Sequence, residues 1–72
     1  MSLVERNEKN VWTVELFTDG SLVVTSFYKR RVNQQHRLRF WMKVDGVPLY
    51  VKRMVKKMRE SHPEICKVRN LR

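Results

Sequence analysis

Residues 11–29, VWTVELFTDGSLVVTSFYK, constrain this chain more than any other stretch. Two β-branched and aromatic runs flank Asp19-Gly20. Such runs favour extended backbone, because branched side chains pack well on a pleated surface. Asp-Gly between them signals a hairpin, since a two-residue type I′ turn needs positive φ at both central positions. With Asp19 and Gly20 as the loop, Leu16 faces Val23, Val14 faces Thr25 and Trp12 faces Phe27. That side is nearly all apolar and is expected to meet the core. The other side carries Val11, Thr13, Glu15, Phe17, Leu22, Val24, Ser26 and Tyr28. There Phe17, Leu22 and Val24 are expected at a contact with a second copy or with the C-terminal tail.

The rest of the chain is read outward from this hairpin. Residues 1–9 are polar and aperiodic, as a flexible leader would be, and residues 10–72 form one small basic domain. Residues 32–36 are a polar connection. Alternation then returns, with Leu38, Phe40, Met42 and Val44 on one side and Arg37, Arg39, Trp41 and Lys43 on the other. Asp45-Gly46 is a second hairpin signal, followed by a short strand over 47–50. Pro48 suits an edge strand or the first turn of a helix. From about residue 49 the apolar spacing becomes helical: Val51, Met54, Val55 and Met58 form one stripe. His62-Pro63 stops that helix. The end of the chain reads either as a short second helix, with Ser61 and Glu64 at capping-box spacing, or as an edge strand. The expected fold is α+β: an antiparallel sheet of three to four strands with one C-terminal helix on one face, in the order β-β-β-β-α.

Seventy-two residues allow a single domain. A chain so short buries only about 60% of its unfolded surface. Pairing into a homodimer is one way to compensate. Cys66 is the one cysteine, so no internal disulfide forms, and a free thiol fits a reducing, intracellular compartment. No apolar run is long enough for a membrane-spanning helix, and the first residues do not resemble a secretory signal.

Charge points to the partner. The chain carries 16 Lys/Arg against seven Asp/Glu. Residues 1–28 hold two bases and four acids, whereas residues 29–72 hold 14 bases and three acids. Such segregation is the footprint of a protein that meets a polyanion. Residues 28–42, YKRRVNQQHRLRFWM, mix cations with rings and contain no acid. If strands two and three are neighbours, Tyr28, Arg30, Arg37, Arg39, Trp41 and Lys43 share an outer sheet face. Bases can stack on the two rings while cations follow the phosphates. Arg31 belongs to the loop that would flank this face, and Lys52, Lys56 and Lys57 on the helix add phosphate contacts. Asn33, Gln34 and Gln35 could instead read a duplex from a basic β-arm.

The expected function is therefore nucleic-acid binding, to RNA or DNA, with single strands slightly preferred. A module docking an acidic protein is the first alternative. The second is a metal-independent ribonuclease using His36, Arg37, Arg39 and Tyr28 as proton carriers and phosphate clamps. No glycine-rich phosphate loop or nucleophile triad is present, and no cofactor is called for. His62 and Cys66 lack the second pair that a tetrahedral metal site needs.

Overall fold

A computed structural model describes residues 2–38 and 46–65. Four strands form one antiparallel sheet in sequential order: β1 (Leu3–Lys9), β2 (Trp12–Phe17), β3 (Leu22–Tyr28) and β4 (Arg31–Leu38). One helix follows, α1 (Leu49–Ser61). The β-β-β-β-α order is the expected one, but two of the four strands lie largely in segments read as a leader or a connection.

The first is β1. Residues 3–9, within the stretch 1–9 read as a leader, supply this edge strand. Its charged residues mask the signal and suit the position, because charges on an edge strand discourage pairing with other chains. Arg6 stands opposite Glu15, and its guanidinium lies 2.8 Å from Glu8. The register shifts between Leu3 and Glu5, and Val4, between them, packs against the core.

The second is β4. Residues 32–36 are not a connection; they pair with β3 as the opposite edge. The turn that makes this possible is Lys29-Arg30, with φ of 50° and 66°. Two positive φ values define a type I′ turn, yet neither residue is glycine or asparagine. Left-handed backbone costs roughly 1–2 kcal/mol for such a residue. The ladder from Tyr28↔Arg31 to Leu22↔Leu38 offsets that cost.

The Asp19-Gly20 turn is also not the expected one. The loop has three residues: Phe17 N–H donates to the Ser21 carbonyl at 3.0 Å, and Gly20 N–H donates to the Phe17 carbonyl at 2.9 Å. Gly20 takes φ 88°, the left-handed residue that closes a three-residue loop as a bulge. Asp19 Oδ1 holds the loop by accepting from the Ser21 N–H at 3.0 Å and the Ser21 hydroxyl at 2.6 Å. The extra loop residue slides β3 by one position. Leu16 therefore faces Leu22, and Val14 faces Val24. A slip of one residue exchanges the two faces of a strand. Leu22 and Val24, expected on the outer side, are core residues, while Val23, Thr25 and Phe27 turn to the opposite face.

The core is thus Trp12, Val14, Leu16, Leu22 and Val24 from the sheet, with Val51, Val55 and Met58 from α1. The helical stripe packs as its spacing predicts, with Met54 half-buried beside it. It lies over β1 and β2. The expected contact with strand three involves Leu38, which is partly buried against the core, and Phe40, Met42 and Val44, which lie outside the described residues. Gly46 has φ 84°, but the expected strand over 47–50 is absent: Pro48 is the N-cap and the helix starts at Leu49. The helix ends at Ser61 with His62 as its C-cap. Residues 63–65 form a turn closed by Ile65 N–H on the His62 carbonyl, not a capping box.

Candidate nucleic-acid interface

In a four-strand meander, the first and third turns lie at the same end of the sheet. Here these are Asn10-Val11 and Lys29-Arg30. The Phe27 N–H reaches the Val11 carbonyl at 2.8 Å, which ties the two turns side by side. Helix α1 runs antiparallel to β1, since Tyr50 meets Lys9 and His62 meets Glu5. Its N-terminal half therefore reaches the same end.

That end is cationic. Lys29, Arg30 and Arg31 are exposed at the β3–β4 tip. Tyr28 beside them is 65% exposed, and the Lys29 ammonium sits 5.4 Å from its ring centroid. An open hollow of about 450 Å³ is lined by Tyr28, Lys29, Arg31, Val32 and Asn33. A second, of about 440 Å³, is lined chiefly by Lys9, Tyr50, Arg53, Lys56 and Lys57, with Glu60 also in its wall. Lys9 lies 5.6 Å from the Tyr50 ring. Each hollow thus joins a tyrosine to a lysine over its face, a contact of cation–π type.

Of the expected row on the outer sheet face, Tyr28 and Arg37 are parted. Tyr28 follows Leu22, Val24 and Ser26 on the α1 side of β3, whereas Arg37 stands opposite Val23 on the other side. That second face is out of solvent at its centre, where Thr13, Val23 and Thr25 are buried. Arg39, Trp41 and Lys43 lie outside the described residues. Tyr28, Arg30 and Arg31 gather at the tip; Lys56 and Lys57 are exposed on α1, and Lys52 is half-buried. Sequence reasoning missed Lys9, Lys29, Tyr50 and Arg53. The run Lys29-Arg30-Arg31 was visible, but nothing in it signals a turn, so its place at a tip was not.

Of the alternative catalytic set, Arg39 lies outside the described residues, and His36 and Arg37 take opposite faces of β4. His36 faces α1 opposite Val24, with its Nε2 out of solvent and no hydrogen-bond partner among the described residues. Arg37 is on the opposite face. Among the described residues no group of three or more His, Cys, Asp or Glu could hold a metal, and no helix is long and apolar enough to cross a membrane. Cys66 lies outside the described residues, and His62 serves another contact.

That contact is at the far end of the sheet. His62 Nε2 lies 2.7 Å from Glu5 Oε1 and joins the helix C-terminus to β1. The His62 ring, and then the Asn7 amide at 2.8 Å, hold the Glu5 carboxyl below the usual glutamate range against a smaller effect of burial. A depressed carboxylate contributes stability above its unfolded pKa of about 4.3 and loses it as pH falls through the folded value. Urea midpoints measured from about pH 7 down to about pH 3 should therefore fall less steeply for Glu5→Gln than for the parent at the acid end. Parallel acid limbs would show that the contact adds no stability.

The chain matches no family model, no curated protein and no solved structure in comparisons with each.

Proposed function

We propose that this chain binds nucleic acid, RNA or DNA, through its cationic end, with single strands slightly preferred. The observation that carries the reading is the Lys29-Arg30 turn. Two long cations occupy left-handed positions that asparagine and glycine fill at lower cost. Backbone strain kept at an exposed site is a mark of function. Arg31, Lys9, Arg53, Lys56 and Lys57 extend the positive surface from the tip onto α1. No Asp or Glu occurs anywhere in residues 20–44. Phosphate contacts of this kind give affinity that falls with salt and does not depend on sequence.

The test is a titration of labelled single-stranded and duplex DNA and RNA at several salt concentrations, with the parent and with a Lys29→Asn/Arg30→Gly variant. The variant installs the favoured type I′ pair, and it should gain about 1 kcal/mol of stability. It should also bind more weakly. The slope of log affinity against log salt should flatten by about 1.4 for single strands or about 1.8 for duplex, the value of two lost phosphate contacts. A parent protein that binds no nucleic acid at low salt would overturn the proposal. So would a variant that binds as the parent does. In the first event an acidic protein becomes the partner to pursue.

A further inference from the structure

We infer that the hollow at the β3–β4 tip holds one unpaired nucleotide, with its base stacked on Tyr28. The inference rests on the nucleic-acid reading above and names the feature of the ligand that this site selects.

Tyr28 has the geometry of a one-sided platform. The Lys29 ammonium occupies one face of its ring at 5.4 Å, yet the residue is still 65% exposed. The other ring face is therefore open to solvent. A large aromatic side chain at a hairpin tip gains nothing for the core in that position, and its ring is left available to a ligand.

Asn33 supplies an independent sign. Ser26 pairs with Gln34 and Phe27 with Val32, so Asn33 is the extra residue of a β-bulge in β4. Bulges re-aim side chains and recur beside binding sites. This one stands in the wall of the hollow, where Asn33 brings an amide able to donate to or accept from a base edge. Val32, 57% exposed, gives an apolar patch beside it.

The site thus offers three kinds of contact within six residues. Tyr28 meets one face of a base, Asn33 meets its edge, and Lys29 and Arg31 meet the flanking phosphates. A paired base keeps its own neighbours on both faces and cannot use the ring. An unpaired base can, because stacking on aromatic side chains is the common device of single-strand recognition.

The experiment compares a labelled single strand of about ten nucleotides with its blunt duplex, by anisotropy, for the parent, Tyr28→Ala and Tyr28→Phe. The exposure of Tyr28 makes both variants compatible with folding, which thermal melts would check. Tyr28→Ala should lower the ratio of single-strand to duplex affinity about 5- to 150-fold, the value of one stacked base. The salt slope should be kept, because no charge is removed. Tyr28→Phe should restore the ratio. A single strand made abasic throughout should lose affinity for the parent by a similar factor. If single strands and duplex bind with ordinary salt slopes but Tyr28→Ala leaves their ratio unchanged, the base site is wrong and the phosphate reading stands. If neither strand form binds, the nucleic-acid reading itself fails, and this inference with it.

Discussion

Leu22→Ala is expected to lower the unfolding free energy by about 3 kcal/mol, within the roughly 2–5 kcal/mol typical of a buried leucine. Leu22 is fully enclosed, with Leu16 opposite it on β2 and Leu38 opposite it on β4. Truncation removes the transfer energy of the side chain and leaves a cavity that the flanking strands cannot easily close. A domain of this size commands only about 4–11 kcal/mol in total. The melting temperature should accordingly fall by about 15 °C or more. Urea and thermal melts would read the change. A loss below about 1 kcal/mol would instead put Leu22 on the solvent side, where a two-residue Asp19-Gly20 turn would have placed it.

Gly20→Ala should cost about 2 kcal/mol or more, for two separate reasons. The backbone at φ 88° is unfavourable for any residue with a Cβ, at roughly 1–2 kcal/mol. In addition, a Cβ at this position would stand 2.9 Å from the Ile65 carbonyl oxygen. That oxygen belongs to the backbone and cannot swing aside as a side chain could. Gly46 provides the control, with φ 84° but nothing nearer to a Cβ than the Gln34 side-chain oxygen at 3.7 Å. Gly46→Ala should therefore show the backbone cost alone. The difference between the two variants in urea denaturation measures the approach of residues 62–65 to the β2–β3 turn. Equal losses would mean that this approach does not matter to stability.

The two variants also mark where the sequence was legible and where it was not. Gly20 was recognised as a turn residue, because Asp-Gly between apolar runs has few other uses. Whether its loop held two residues or three was not legible. That depended on the Asp19 carboxylate capturing the Ser21 N–H and hydroxyl, a choice made in competition with the two-residue turn. β2 was placed on the correct face and β3 on the wrong one for this reason alone. At the candidate site, Arg30, Arg31 and Tyr28 were found from composition. Lys9, Tyr50 and Arg53 were not, since Lys9 reaches this end only through the pairing of β1, and Tyr50 and Arg53 only through the antiparallel course of α1 along β1.

By itself, the sequence determined the class of each central element. The β-branched runs specified strands, the 51/54/55/58 stripe specified an amphipathic helix, and His62-Pro63 ended it. These are local effects of side-chain shape, periodicity and proline sterics, and they need no partner. Only the tertiary structure decided the edges. The charged run of β1 and the polar run of β4 have little strand preference of their own, and they become strands because β2 and β3 offer them unpaired backbone groups. The same ladder holds Lys29 and Arg30 in left-handed backbone, which no local preference would select. The position of the cationic tip is therefore a consequence of strand pairing, while its charge was written in the chain.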